Sequence, residues 1–319
     1  MSMLARTAAP ARPPLSDFAR DAMAGLGNKP KWLSAKYFYD DHGSALFEQI
    51  TALPEYYPTR TELGILKDRA HDIARLIPLG ASLIEFGSGS TVKARIVLGA
   101  AAVTAYVPVD ISAGFLNSEA ARLKRDLPGL QIHPVAADFT KPFELPAALR
   151  ARPRVGFFPG STIGNFEPPE AEKFLSHAAR LLGRGAHFIV GIDLVKDTEV
   201  LNAAYNDAAG VTAAFNLNLL RRMNRELGAD FDLASFRHRA FFNPTASRIE
   251  MHLESTRAQK VHVSGQTFAF AAGETIHTES SYKYTLASFQ ALATRAGWSP
   301  VTVWTDAAGN FSVHALVAS

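Results

Sequence analysis

The segment that most constrains the fold is residues 82–90 (SLIEFGSGS), where a short apolar run meets two glycines. Residues 82–86 have the composition of a buried parallel strand. Gly87 and Gly89 allow the backbone to turn tightly and to approach a ligand closely. From residue 91 to residue 101 the pattern becomes helical, so a helix N-terminus faces the same crevice. The segment predicts a strand–turn–helix unit that binds a nucleotide, although a tight turn without a ligand is also compatible with the glycines.

A second short strand, residues 105–110 (AYVPVD), ends in an acid about 20 residues after the glycines. A carboxylate at Asp110 can accept both hydroxyl protons of a ribose. Val92 stands where the NAD fingerprint has a small residue, and Glu85 precedes the glycines where a phosphate would meet a negative charge. The pair Glu85 and Asp110 therefore favours a cationic nucleoside without phosphate. We expect S-adenosylmethionine (SAM) rather than NAD(P), whose oxidoreductases remain a rival class.

Composition excludes several other kinds of site. The 33 basic and 30 acidic residues leave a net charge of only +3, and no Lys/Arg run indicates nucleic acid. The chain has no cysteine, so disulfides and thiolate chemistry are excluded. The ten histidines show no ligand spacing along the chain, so we expect no metal. No apolar stretch is long enough to span a bilayer. Residues 1–16 are expected to form a flexible tail, and the chain a cytoplasmic protein.

Strands and helices alternate over the first two thirds of the chain, which predicts a doubly wound parallel sheet. Ligands bind such sheets beyond the carboxyl ends of the strands, where Asp138, Phe139 and Asp193 also fall. Asp138 and Phe139 could hold an adenine amino group and cover its ring. They could equally be a capped turn and a core side chain.

The alternation stops after residue 195, and a helical stretch, a strand-rich stretch and a final hairpin follow. The fold class expected is α/β, a Rossmann-like SAM-methyltransferase sheet that is mostly parallel and ends in an antiparallel hairpin, with a second α+β substrate-binding domain. Residues 61–195 plus 286–319 would form the SAM-binding core, and residues 1–60 plus 196–285 the second domain covering its crevice.

Over almost its whole length the chain resembles the histidine-specific Nα-methyltransferases of ergothioneine biosynthesis. The matching strings are YFYD at 37–40, LPEYYPTRTE at 53–62, GSTIGN at 160–165, DLVKDT at 193–198, YNDAAGVTAAFN at 205–216, NRELGADFDL at 224–233, RIEM at 248–251 and TESSYK at 278–283. That family transfers three methyl groups from SAM to free histidine and makes trimethylhistidine betaine (hercynine).

The resemblance implies roles for particular residues. SAM would be held by Gly87, Lys93, Asp110, Asp138 and Phe139. On the substrate side, Tyr56, Asn165 and Tyr205 would fix the amino and carboxylate groups, Tyr39 and Phe47 would line the amine end, Glu279 and Ser281 would read the imidazole, and Met251 would pack against the ring. Tyr39 and Asn165 are the expected catalytic residues.

Physical chemistry is compatible with these roles. Aromatic faces stabilise a growing ammonium by roughly 0.5 to 2 kcal/mol through cation–π contacts. Glu279 and Ser281 are two residues apart, so on a strand both point to one face. Each of these residues also has an interpretation without a functional role. Glu279 and Ser281 could lie on an exposed strand edge, Tyr56 could pack between the two domains, and the Asn165 amide could cap a loop. The alternatives in function are a methyltransferase of the same fold that acts on another small amine, and a SAM-binding sensor without turnover. A monomer is expected.

Overall fold

The computed structural model describes residues 15–149 and 151–319, and most of the predicted N-terminal tail lies outside them. The helices of this part are α1 Asp17–Gly27, α2 Asp41–Thr51, α3 Tyr57–Asp68, α4 Ala70–Arg75, α5 Val92–Ala100, α6 Ala113–Asp126, α7 Pro168–Leu182, α8 Thr198–Ala204, α9 Val211–Leu227 and α10 Leu286–Arg295. The strands are β1 Lys31–Trp32, β2 Ser82–Phe86, β3 Ala105–Asp110, β4 Gln131–Ile132, β5 Val135–Ala136, β6 Arg154–Phe158, β7 His187–Asp193, β8 Phe236–Asn243, β9 Arg248–Ser255, β10 Gln259–Val263, β11 Gln266–Phe270, β12 Thr275–Tyr282, β13 Trp298–Thr305 and β14 Phe311–Ala318. Within the described residues, single 3₁₀ turns lie at Ala35–Phe38, Ala147–Leu149, Thr162–Asn165 and Leu233–Ser235.

The larger sheet has the strand order β13-β14-β7-β6-β2-β3-β4, with β5 paired to the far end of β3. The strands from β4 to β7 are parallel, whereas β14 runs antiparallel to β7 and β13 antiparallel to β14. Strand β2 is buried along its whole length, as its apolar sequence predicts for a strand covered on both faces. The predicted α/β fold with a terminal antiparallel hairpin is confirmed.

A smaller four-stranded sheet has the order β1-β12-β9-β8. Its three long strands are antiparallel, and the short β1 pairs in parallel with β12. One face of this sheet, the inner face, packs on α1, α2 and α9 around side chains such as Phe18, Leu46, Leu219 and Ile249, and the opposite face is the outer face. The chain therefore has a second α+β layer, as predicted, made from its N-terminal part and from the segment between β7 and α10.

Several element boundaries differ from the expectations. The strand predicted at 131–135 is divided into β4 and β5 around Pro134, which has no N–H to give to a ladder. The segment 53–60 is irregular only up to Tyr56, because Pro58 fits the first turn of α3, where a missing N–H costs nothing. The predicted helix 198–227 is interrupted before α9, where Gly210 has a φ of +73°. Ser112 precedes α6, but its side chain makes no capping hydrogen bond.

None of the described helices is long and apolar enough to cross a membrane.

Candidate active site

The turn after β2 has the backbone that its glycines predict. Gly87 adopts a φ of +69°, a conformation that side chains disfavour. Its N–H donates to the carbonyl of Val109 over 2.8 Å, which fixes the turn beside the end of β3. A side chain at Gly87 would begin 3.5 Å from the ring of Phe139. The turn therefore brings Gly87, Phe139 and the end of β3 to one place beyond the carboxyl edge of the sheet.

Glu85 does not face a ligand as expected. Its side chain is only 1% exposed and accepts a short hydrogen bond from the Tyr106 hydroxyl, which also lies 3.0 Å from the Ser88 hydroxyl. Burial raises the pKa of Glu85 to about 7, although Tyr106 and Ser88 oppose the rise. The idea that Glu85 and Asp110 form a carboxylate pair for a cationic ligand is therefore wrong for Glu85, whose carboxyl group is used within the turn.

Asp110 is the last residue of β3 and lies beside the glycine turn. One oxygen accepts from the N–H of Ser112 over 2.8 Å, and burial raises the pKa of the group. Asp138 forms a local turn, because its Oδ1 accepts from the N–H of Thr140 over 3.1 Å. Of the two interpretations open for Asp138, the capped turn is therefore present. The second carboxylate oxygen of Asp138 lies 3.7 Å from Lys141 and remains available to a ligand.

Lys93 is tied to a buried acid that sequence reasoning did not identify. Its Nζ lies 2.6 Å from Oε2 of Glu62, whose side chain is 1% exposed. The same carboxylate accepts from the N–H of Gly160 over 2.8 and 3.0 Å. Lys93 thus anchors the loop after β6 to the helix that follows the glycine turn.

Four aromatic side chains predicted for the substrate side form a continuous wall. The ring centroids of Tyr39 and Phe47 are 5.8 Å apart, those of Phe47 and Tyr56 are 6.4 Å apart, and those of Tyr56 and Tyr205 are 6.1 Å apart. All three pairs meet edge to face, which is the favourable geometry for aromatic quadrupoles. The segment before α3 and the end of α8 are therefore joined through side chains far apart in sequence.

A bulge in β12 determines which way Glu279 points. His277 lies opposite His252 on β9, but Glu279 lies opposite Met251, so Thr278 is an extra residue in β12. In a regular strand Glu279 would share a face with His277, because side chains alternate. The bulge instead turns Glu279 to the inner face with Met251, and the Thr278 hydroxyl stabilises it by donating to Asn216 and to the Met251 carbonyl.

Ser281 and Tyr205 meet on the same inner face. The Tyr205 hydroxyl lies 2.8 Å from Oγ of Ser281, and Nζ of Lys283 lies 2.9 Å from that Oγ and 3.1 Å from the Tyr205 oxygen. Burial raises the pKa of Glu279 to about 7, and the positive charge of Lys283 limits the rise. Lys283 was not among the predicted site residues, although it closes the string TESSYK that carries the family resemblance.

A buried ion cluster stands behind this face. Asp193 lies 2.8 Å from Lys283 and 2.6 Å from Lys196, and it accepts from the Tyr57 hydroxyl over 2.8 Å. Burial alone would raise the pKa of Asp193, but the two lysines outweigh burial and lower it. The sequence predicts Asp193 at the ligand edge of the sheet, but it does not predict the ion pairs of Asp193 with Lys196 and Lys283.

Asn165 ends the 3₁₀ turn Thr162–Asn165, which packs against β12. A side chain at Gly164 would meet the carbonyl of Tyr282 at 2.8 Å, so the turn and the strand touch through their backbones. Ser161, just before the turn, has a φ of +55°, and its Oγ accepts from the N–H of Asp193 over 2.9 Å. A strained non-glycine residue of this kind is typical of functional loops.

Electrostatics connects the two halves of the site. Burial is the main cause that raises the pKa of Tyr39. The negative charge of Glu279 is the second cause, and the negative charge of Asp110 adds to it. The charge of Glu279 similarly raises the pKa values of Tyr56 and Tyr205, which burial raises first. Tyr39 is therefore near enough to both Glu279 and Asp110 for their charges to act on its hydroxyl.

A family model described as "Histidine-specific methyltransferase, SAM-dependent" matches residues 18–318. The chain belongs to this family. It is 45% identical over 306 residues to the histidine N-alpha-methyltransferase of Mycolicibacterium smegmatis, covering 93% of this chain and 94% of that protein. It is 41% identical over 301 residues to the protein of the same name from Mycobacterium tuberculosis, covering 92% of each. It is 29% identical to ergothioneine biosynthesis protein 1 of Neurospora crassa, over 91% of this chain but 33% of that longer protein.

Membership in a SAM-dependent methyltransferase family confirms the class of enzyme and the co-substrate predicted from the glycine turn, Glu85 and Asp110, although Glu85 itself is buried within the turn. It removes the NAD(P)-linked oxidoreductase as a rival.

Proposed function

We propose that this protein transfers three methyl groups in succession from SAM to the α-amino nitrogen of free L-histidine, giving hercynine for ergothioneine biosynthesis. Membership in the histidine-specific family and the names of the bacterial and fungal relatives support this proposal. The observation that carries it is the bulge at Thr278, because it directs Glu279 and Ser281 to the face of the sheet that holds the aromatic wall instead of to the opposite face.

SAM would lie across the carboxyl ends of β2 and β3. Gly87 gives the backbone close approach, the Asp110 carboxylate would accept from the ribose hydroxyls, and Asp138 and Phe139 would border the adenine. Lys93 would act indirectly, since Glu62 already holds its ammonium group. Its part in cofactor binding would be to fix the loop at Gly160.

Histidine would lie against the inner face of β12. Glu279 would accept from one imidazole nitrogen and Ser281 would donate to the other, with Met251 packed on the ring. Tyr56, Asn165 and Tyr205 would hold the amino and carboxylate groups. This set rejects a side chain without nitrogens, because leaving a buried polar group unpaired costs about 1–3 kcal/mol.

In each transfer the lone pair of the neutral amine forms a bond to the SAM methyl carbon. The carbon–sulfur bond breaks, its electron pair stays on sulfur, and the sulfonium becomes a thioether. The ammonium proton passes to water before the next transfer. Positioning supplies most of the acceleration in such a displacement, so no metal is required. Tyr39 and Phe47 would face the growing cation and stabilise it without donating an N–H.

We further propose that residues 61–195 plus 286–319 bind SAM and that residues 1–60 plus 196–285 bind the amino acid. Helix α3 crosses the boundary at residue 60 and links the two parts. We also propose that the protein is a cytoplasmic monomer that binds neither nucleic acid nor membrane. A small charged substrate and a net charge of only +3 agree with this.

Mass spectrometry of histidine incubated with the protein and SAM tests the proposal. We expect mono-, di- and trimethylhistidine together with S-adenosylhomocysteine. Methylation of a different amine in a substrate panel would favour the alternative acceptor. SAM binding without release of S-adenosylhomocysteine would favour a sensor.

A further inference from the structure

The outer face of the four-stranded sheet, opposite the proposed histidine pocket, carries three side chains suited to metal binding. Glu250 and His252 are two residues apart on β9 and share that face. His252 lies directly opposite His277 on β12. One oxygen or nitrogen from each of the three lies within 4.8 Å of the others. We propose that Glu250, His252 and His277 bind a divalent transition-metal ion such as Zn²⁺ or Ni²⁺.

The strand geometry supplies the ligand set. Two alternate residues of one strand and a directly opposite residue of the next have neighbouring Cβ atoms on one face of a sheet. Two imidazoles and a carboxylate are ligands that Zn²⁺ and Ni²⁺ accept, and three protein ligands leave positions open for water. The ligand spacing along the chain gave no sign of the site, because His277 joins the pair only through strand pairing.

Surrounding groups already orient the three ligands. Oε1 of Glu250 accepts from Nε of Arg248 over 2.9 Å and from Nδ2 of Asn243 over 3.0 Å, while Oε2 faces Nε2 of His252 at 3.1 Å. Nε2 of His277 donates to the carbonyl of Glu279 over 2.9 Å, so the lone pair of His277 is on Nδ1. An imidazole that gives one N–H to a carbonyl and keeps the other nitrogen free is the usual arrangement of a metal ligand.

His252 gives a second indication. Its side chain is 13% exposed, and its Nε2 faces Oε2 of Glu250 at 3.1 Å, so a metal ion bound between these two atoms would replace their hydrogen bond. Stacking explains only part of the arrangement: the His252 ring lies 5.4 Å from the ring of Phe241 and 4.9 Å from that of His277. Stacking of this kind does not require a carboxylate beside the ring nitrogen.

Positive charge nearby limits the affinity. Arg239 lies opposite His252 on β8 and is 57% exposed, and Arg248 contacts Glu250 directly. A cation would be repelled by both guanidinium groups. We therefore expect micromolar binding instead of a permanently held structural ion.

Calorimetry with ZnCl₂ on tag-free, chelator-treated protein tests the site. We expect one Zn²⁺ per chain, and a loss of affinity of at least tenfold in His252→Gln and in Glu250→Gln. His262→Gln is the matched control, because His262 is exposed and forms an ion pair with Asp230 outside the cluster. Equal binding by all four proteins, or no binding by the wild type, would overturn the proposal.

A measurement on the unmutated protein guards against variants that fold poorly. Nuclear magnetic resonance of the histidine ring nitrogens should show Zn²⁺-dependent shifts at His252 and His277 and at no other histidine. Shifts confined to exposed histidines such as His42 or His262 would overturn the site.

Discussion

Nζ of Lys283 lies 2.8 Å from Oδ2 of Asp193, and both side chains are 1% exposed. Lys283 follows the last residue of β12, and Asp193 is the last residue of β7, so this ion pair joins the smaller sheet to the larger one. The lysine also contacts the Tyr205 and Ser281 oxygens. Because both oxygens accept from the ammonium and the Tyr205 hydroxyl donates to Oγ of Ser281, the Ser281 proton is left to point at a substrate. One buried cation thus connects the relative position of the two sheets to the polar groups of the proposed histidine pocket.

Lys283→Met should raise the histidine KM at least tenfold and change the SAM Kd little. Tyr205 and Ser281 would lose the donor that orients them, at about 1–3 kcal/mol for an unpaired buried group. The pKa of Glu279 should also rise in the variant, because the charge of Lys283 limits that pKa in the wild type. The pH profile of kcat/KM should therefore move toward higher pH. Steady-state kinetics from pH 6 to pH 9 measure both effects.

The control for Lys283 is Lys196→Met. Lys196 shares Asp193 but contacts the Tyr57 hydroxyl and the Leu194 carbonyl instead of the pocket groups. We expect its pH profile to match that of the wild type. If both variants change KM and the pH profile alike, Lys283 contributes only to packing of the two sheets.

The free energy of unfolding should depend on pH through Glu279. The folded protein holds the Glu279 proton to about pH 7, whereas the unfolded chain releases it near its ordinary pKa of 4.5. The raised pKa therefore stabilises the fold at low pH, and this contribution is lost as pH rises from 4.5 through 7. Relative to Glu279→Gln, the wild type should lose at most ~3 kcal/mol over that range. Urea titrations of both proteins at pH 4.5, 6 and 8 measure the difference, and a constant difference would show that Glu279 ionises normally.

The parallel sheet and the position of its ligand edge were predictable, because both follow from local patterns. A short apolar run followed by Gly87 specifies a strand and a turn, and alternation with helices specifies a parallel sheet. Strand order within the sheet then brings Asp110 beside the turn. The sheet and the meeting of β3 with the glycine turn are confirmed, and ligand binding at this edge stays a prediction.

The contacts between distant segments were not predictable. Glu62 and Asp193 carry no local sign that they meet Lys93 and Lys283, since each pair is separated by a long stretch of chain. The bulge at Thr278 depends on its register with β9, which periodicity within one strand does not contain. The inward direction of Glu279 came only from family resemblance, and the bulge now gives it a physical reason.

Asp110→Asn should weaken SAM binding by about 10- to 100-fold, because an amide presents one acceptor oxygen to the ribose hydroxyls and loses the charge. Isothermal titration of SAM measures the change. Asp126→Asn is the control, since Asp126 pairs with Arg95 at the exposed end of α6. Unaltered SAM affinity in Asp110→Asn would remove the ribose contact from the proposal.

Glu279→Ala should raise the histidine KM by about 10- to 200-fold and leave the SAM Kd unchanged, because the imidazole N–H would lose its acceptor while the glycine turn is untouched. Glu254→Ala is a matched control: Glu254 lies on the same sheet, but it pairs with the exposed Arg237 and Arg239 on the outer face.

Selectivity should change along with affinity, because phenylalanine needs no acceptor at this position and would no longer be rejected by an unpaired carboxylate. The kcat/KM ratio of histidine to phenylalanine should therefore fall in Glu279→Ala and stay at the wild-type value in Glu254→Ala. An unchanged ratio in both variants would mean that the inner face of β12 does not read the imidazole.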